Sequence, residues 1–185
     1  MNRVEYRQVL AEFEQARPRH VLEWGSGGST RALLQRFACI DRYVSIEHQA
    51  DWYARVRENV QDPRLELHLV PATEKQPCPP ADDPAREDVI KGWFRRCEDH
   101  PEIFADYVAF PRSLGISFDF VLVDGRARIH CLPVAMELLR PGGVVVLHDA
   151  QRPEYHQTIE RLGGGDFLEP WRQGQICVIR SPLRP

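Results

Sequence analysis

VLEWGSGGST, residues 21 to 30, is the stretch on which the reading of the chain turns. An apolar run ends on a carboxylate, Glu23. It then breaks into Gly25, Gly27 and Gly28, followed by Ser29 and Thr30 at the start of a helix-like pattern. A glycine loop between a strand and a helix lets the backbone approach a ligand closely. Loops that hold a dinucleotide pyrophosphate carry G-x-G-x-x-G. Here Thr30 stands at the third glycine's position, and Glu23 sets a negative charge where phosphates would have to lie.

That pairing favours a cofactor without phosphate that brings positive charge to the loop. S-adenosylmethionine, with its ammonium, sulfonium and carboxylate, meets the requirement. Glu23 is expected to accept hydrogen bonds from its amino group, directly or through water. Gly25, Ser26 and Gly27 are expected to run along the methionyl portion. Ser29 and Thr30 are expected to cap the helix or donate to the cofactor's carboxylate. Glu47 ends the next strand, "RYVSIE", 20 residues beyond Gly27. An acid at about that interval grips ribose hydroxyls, because a carboxylate accepts from both oxygens of a diol. Adenine is then expected near His48, Ala72 and Thr73, with Trp52 either sheltering it or packing in the core.

Outward from this loop, short strands alternate with helical patterns. Helices are expected over 2–16, 29–38, 50–60, 127–140 (with Pro133 as a kink site) and 153–162. Strands are expected over 19–24, 42–47, 65–70, 118–125 and 141–149, with two weaker ones near 166–171 and 175–181. Such alternation predicts an α/β fold, a mostly parallel sheet covered on both faces. Ligands bind such sheets beyond the carboxyl ends of the strands. Glu23, Glu47, Asp124 and the pair His148-Asp149 all fall at such ends. Residues 72–117 are too long for a plain connection. Their first part is polar and proline-rich, and their second has helical apolar spacing through Trp93, Phe94, Phe104, Tyr107 and Phe110. They read as a helical insertion over the mouth of the site, a lid with a mobile first part, or alternatively as a surface excursion packed on one edge, within a single domain spanning 1–185.

Composition narrows the classes. A chain of 185 residues with 43% hydrophobic and 28% charged residues suits one globular domain. The net charge of −3 offers no basic field for nucleic acid. No apolar run is long enough for a bilayer, and the N-terminal stretch lacks the apolar core of a secretion signal. Five scattered cysteines without a CxxC read as reduced thiols in a cytoplasm.

Together "VLEWGSGGST", "VSIEH", "FDFVLVDGRARIHC" and "LRPGGVVVLHDA" resemble class I S-adenosylmethionine-dependent methyltransferases over residues 19 to 150, apart from the insertion. Ser29 departs from the pattern, since many members carry a third glycine there. The resemblance implies a Rossmann-like three-layer sandwich. Its mostly parallel seven-stranded sheet would be ordered 3-2-1-4-5-7-6, with a helical insertion between strands 3 and 4 and the last two strands as a hairpin beside the fifth.

After the fourth strand stands "VDGRAR", not the Asp/Asn-Pro-Pro-aromatic motif of enzymes that methylate exocyclic or amide nitrogens. Asp124, His148 and Asp149 instead resemble the positions at which metal-dependent small-molecule and sugar O-methyltransferases hold Mg²⁺. That resemblance implies a divalent cation lowering the pKa of an acceptor hydroxyl. His148 is alternatively a general base, as imidazole titrates near neutral pH. Bland roles are also open: Asp124 and Asp149 as helix caps, His148 as a satisfied strand-end histidine. Arg126 and Arg128 are either substrate ligands for a carboxylate or phosphate, or solvated surface arginines. The expected function is methyl transfer to a hydroxyl of a small molecule or sugar. Its rivals are an inactive cofactor- or partner-binding module of the same fold and an NAD(P)-dependent oxidoreductase.

Overall fold

The computed structural model describes residues 1–182. Seven strands, β1 (His20–Trp24), β2 (Arg42–Glu47), β3 (Leu65–Leu69), β4 (Phe118–Val123), β5 (Leu139–Leu147), β6 (Asp166–Phe167) and β7 (Cys177–Arg180), form one sheet ordered 3-2-1-4-5-7-6. The pairs from β3 across to β5 are parallel, whereas β7 runs antiparallel to both β5 and β6. Seven helices accompany them: α1 (Arg3–Ala16), α2 (Gly28–Arg36), α3 (Ala50–Asn59), α4 (Arg86–Asp99), α5 (Ala105–Ala109), α6 (Arg128–Leu138) and α7 (Pro153–Arg161). The expected Rossmann-like architecture is the one observed.

The period-two alternation of strand side chains divides the core between the two faces. Leu22, Trp24, Val44, Ile46, Val121, Val123, Val145 and Leu147 point to one face, where α4, α5, α6 and α7 cover them. Val21, Tyr43, Phe120, Leu122, Val144 and Val146 point to the other, under Val9 and Phe13 of α1 and Leu33 and Leu34 of α2. Burial on both faces explains why β4 and the second half of β5, Val144 to Leu147, are almost continuously apolar.

Two expectations need revision. β5 begins at Leu139, so Arg140-Pro141-Gly142-Gly143 lies within the strand instead of forming a turn before it. The extra length is taken up by a register irregularity opposite Phe118 and Phe120. Pro133 lies inside α6, which continues through it. Among the described residues no helix is long and apolar enough to cross a membrane, and no cysteine is in a disulfide.

The insertion is built into the body of the protein. Trp93 and Cys97 of α4, Ile103 and Phe104 of the following 3₁₀ turn, and Tyr107 of α5 all belong to the buried core. The indole of Trp24 on β1 donates to the Tyr107 carbonyl at 3.1 Å. The buried carboxylate of Glu98 on α4 accepts the backbone N–H groups of Arg128 and Ile129 at 3.1 and 3.0 Å, satisfying orphan donors at the start of α6. The helical half is therefore packed into the core as one wall of the cleft. Only the stretch before α4 is irregular and largely exposed.

At the centre of the sheet the loops after β1 and β4 touch. Gly25 has φ +94°, and a Cβ there would stand 2.7 Å from the backbone nitrogen of Gly125. A Cβ on Gly125 would overlap the buried hydroxyl of Tyr107. Gly125→Ala is therefore expected to destabilise the protein by about 1–3 kcal/mol, the usual cost of overpacking. Tyr107→Phe in the same chain should restore part of the loss, because it removes the overlapping oxygen. Urea denaturation of the single and double variants measures both effects, and additive losses would refute the clash.

Candidate active site

A cleft of 590 Å³ opens above the carboxyl ends of β1, β2 and β4. The backbone of Gly25, Ser26, Gly27 and Gly28 lines it together with Ser29. Glu47, His48, Gln49 and Trp52 line it from the β2 side, and Asp124, Gly125 and Arg126 from the β4 side. Met1 and Tyr6, from the N-terminal segment, also reach it. Neither was legible in the sequence, because the amphipathic pattern of α1 says which face is buried but not which end of the sheet it reaches.

Glu23 does not face the cleft. It is fully buried beneath the glycine loop and accepts hydrogen bonds from the hydroxyls of Ser29, Thr30 and Ser45. Thr30 Oγ1 also accepts the Gly27 N–H at 2.8 Å, so the chain from Glu23 through Thr30 braces the loop from below. Burial pushes the Glu23 carboxyl up to about 7 although the three hydroxyls pull it down. The expected direct contact between Glu23 and a cofactor amino group is thus replaced by a supporting role, as is the expected contact from Thr30. Glu23 is the penultimate residue of β1, and its carboxylate is taken up by hydroxyls at the start of α2 and on the neighbouring strand β2. Ser26 Oγ lies 2.8 Å from Ser45 Oγ, and the Trp52 indole donates to the Ser26 carbonyl at 2.6 Å, which holds the loop from the side.

Glu47 is buried to 3% exposure yet lines the cleft. Its Oε1 accepts the N–H groups of His48 and Gln49, each at 2.8 Å, at the turn into α3. Its Oε2 makes no hydrogen bond among the described residues. The His48 ring packs edge-on against Phe104 and Tyr107 of the insertion, with centroids 5.3 and 5.7 Å away. Trp52 is 42% exposed and packs against Gly27, so it is a wall of the cleft and not a core residue. Ala72 does not line the cleft; it packs against the core behind it.

Asp124, His148 and Asp149 do converge. His148 Nδ1 lies 2.6 Å from Asp124 Oδ1 and 3.7 Å from Asp149 Oδ2. Its Nε2 lies 3.1 Å from Glu5 Oε1 of α1, a partner the sequence did not reveal. These contacts are ion pairs whose angles fall outside directed hydrogen bonding. Burial alone would depress the imidazole's pKa, but Asp124 and Glu5 on either side outweigh it and raise it. Burial likewise favours protonating Asp124 and Glu5, and His148 overcomes that and lowers both. His148 thus sits between carboxylates that favour its protonated form, 7% exposed and outside the lining of the cleft, so the expected general base does not reach the cleft directly.

Arg128 completes this cluster from inside. It is 3% exposed, and its guanidinium donates to the carbonyls of Gly125, His148 and Asp124 at 3.0, 2.5 and 3.2 Å. It also reaches the carboxylates of Asp149 at 3.3 Å and Asp124 at 3.5 Å. It is neither a substrate ligand nor a solvated surface arginine. Its donors are spent on the turns after β4 and β5. Arg126, by contrast, lines the cleft, with its guanidinium 3.9 Å from the centroid of Phe94 on α4.

A divalent cation does not fit the predicted set. Asp149 Oδ2 is already held by Arg128 and by Arg152 at 2.8 Å, and Asp124 Oδ1 by His148. Among the described residues, Glu5, His148 and Asp149 form a group that could hold a metal ion, with donor atoms within 4.8 Å of one another. An ion there would compete with Arg128 and Arg152 for Asp149.

The family model of the methyltransferase domain matches residues 22–150. The chain belongs to that methyltransferase family. No curated protein matches by sequence. Among solved structures, it is similar to the O-methyltransferase TomG from Streptomyces achromogenes, involved in tomaymycin synthesis and seen in complex with S-adenosylmethionine. That likeness has TM-score 0.60 and 17% identity over 98% of this chain and 81% of TomG. The O-methyltransferase from Bacillus cereus in complex with S-adenosylhomocysteine superposes with TM-score 0.62, 16% identity, and coverage of 98% and 82%. The N-methyltransferase NodS from Bradyrhizobium japonicum gives TM-score 0.58, 13% identity, and coverage of 97% and 96%. At these identities the likeness establishes the fold.

The imidazolium assignment carries a pH signature. A histidine whose folded pKa lies above its ordinary 6.5 contributes stability in full below that value and loses it as pH rises through the folded pKa. The stability difference between wild type and His148→Gln should therefore be largest near pH 6 and shrink on the alkaline side. Urea denaturation across that range measures it, and a difference independent of pH would remove the assignment.

Proposed function

We propose that this methyltransferase uses S-adenosylmethionine and transfers its methyl group to a hydroxyl of a small molecule or sugar. The observation that carries the reading is Glu47, a buried carboxylate in the cleft with one oxygen tied to two backbone N–H groups and the other uncommitted. That arrangement orients an acceptor for the ribose hydroxyls without spending it. The rest of the cleft fits the same cofactor: a glycine backbone without side chains for the methionyl chain, and the His48 ring at the side where adenine would lie. When bound, S-adenosylmethionine supplies an electrophilic methyl group on a sulfonium sulfur.

The protein's own part is to position and to orient. The loop from Gly25 to Ser29 is pinned by Glu23, Thr30 and Trp52, so its N–H groups are fixed before a ligand arrives. Asp124 lies in the cleft with its Oδ1 held by His148, and its Oδ2 makes no hydrogen bond among the described residues. Kept ionised below the usual carboxylate range, it serves to accept the acceptor hydroxyl's hydrogen bond and aim the oxygen lone pair at the methyl carbon. His148 and Asp149 act behind it, as positioning groups. The sequence Asp124-Gly125-Arg126-Ala127 and the O-methyltransferases among the similar folds support oxygen as the acceptor atom.

Calorimetry with S-adenosylhomocysteine tests the reading. Wild type should bind it, and Glu47→Ala should bind about tenfold or more weakly, as expected for losing hydrogen bonds to a charged group. Undiminished affinity in Glu47→Ala, or binding of NADH in place of S-adenosylhomocysteine, would overturn it.

A further inference from the structure

Most charged groups around the cleft are neutralised from within the protein. Arg128 is met by Asp124 and Asp149, Arg152 by Asp149, and His148 by Asp124 and Glu5. Arg126 is the exception. Among the described residues it forms no ion pair, although it is more than half buried and its low-dielectric setting depresses even its guanidinium pKa. One face of the guanidinium lies on the Phe94 ring at 3.9 Å, and Arg152 approaches the same ring at 6.0 Å. Its single hydrogen bond runs from Nη1 to the neighbouring Gly125 carbonyl at 3.2 Å. Nε is buried without an acceptor, and Nη2 makes no hydrogen bond among the described residues.

Leaving a cation half-desolvated and unpaired costs free energy that an anionic ligand recovers. Stacking on Phe94 fixes the plane of the guanidinium, so the Nη donors that remain beyond the Gly125 bond point in a set direction suited to a carboxylate or phosphate oxygen. Helix α4 supplies that ring, and Arg126 is two residues from Asp124 in the same cleft. We propose that Arg126, braced on Phe94, anchors a carboxylate or phosphate group on the methyl acceptor. The acceptor is then a small hydroxylated anion, held by its charged end at Arg126 with its hydroxyl toward Asp124. This rests on the methyltransferase reading of the cleft given above.

The probe is inorganic phosphate, titrated by calorimetry into the protein alone and into protein saturated with S-adenosylhomocysteine. Wild type should bind phosphate in both states, and R126Q should bind it about tenfold more weakly, the loss expected for a charge-assisted hydrogen bond. Phe94→Leu keeps the cation but frees it, and should weaken phosphate by a smaller factor. Thermal unfolding checks that each variant folds; R126K, which keeps charge without the fork, stands in if R126Q does not. Wild type that binds no phosphate, or R126Q that binds it normally, overturns the proposal. A loss of S-adenosylhomocysteine affinity in R126Q with unchanged affinity for 5′-methylthioadenosine, which lacks the carboxylate, would assign Arg126 to the cofactor instead and also overturn it. If S-adenosylhomocysteine fails to bind wild type while phosphate binds through Arg126, the cofactor reading falls and the anion site stands.

Discussion

The guanidinium of Arg128 holds three backbone carbonyls and two carboxylates in a space closed to water, and so ties together the turns that follow β4 and β5. The chain leaves β4 and β5 through turns in which non-glycine residues adopt left-handed backbone conformations, Ala127 at φ 52° and Asp149 at φ 58°. Such conformations cost about 1–3 kcal/mol each unless the surroundings impose them. Arg128 imposes them by reaching the carbonyls of Asp124, Gly125 and His148 together. A lysine would supply the charge but not the fork, and the carbonyls would lose their donors.

From that clasp the remaining polar groups fall into order. Glu98 of the insertion accepts the N–H groups that open α6, so the helix carrying Arg128 is tied to α4. Glu5 of α1 closes the far side of His148. Three carboxylates, a histidine and two arginines thus meet beneath the β4 and β5 ends. Among the described residues, Glu47 Oε2, Asp124 Oδ2, the His48 ring nitrogens and the edge of Arg126 belong to cleft-lining residues and lack a full set of hydrogen-bond partners within the protein.

The insertion has the same character. A connection of that length invites the idea of a moving cover, yet its aromatic residues complete one face of the core. Trp93, Phe104 and Tyr107 are buried beside residues of β1, β2 and β4. Moving them would expose apolar surface worth roughly 1.5–3 kcal/mol for each large side chain. The insertion shapes the cleft through its packing, offering Tyr107 against Gly125, Phe104 against His48, and Phe94 against Arg126.

Periodicity and turn chemistry settled the sheet. Alternating apolar strands, glycine after β1 and an acid at the end of β2 specified an α/β fold and marked Gly25, Gly27, Glu47 and Asp124 as cleft residues before any coordinates. Those features are local, so a sequence carries them. The direction of a buried charge is not local. Glu23 and Arg128 stand in motifs that look outward, but hydroxyls and carbonyls distant in sequence or on the adjoining turn claimed them, because an unpaired charge in a dry interior is costlier than an unmade ligand contact. Glu5 had no signal at all, since only the packing of α1 brings it to His148. The strand pattern alone decided where a ligand would bind; which charges remained free to meet it was decided by the tertiary contacts that neutralised the rest.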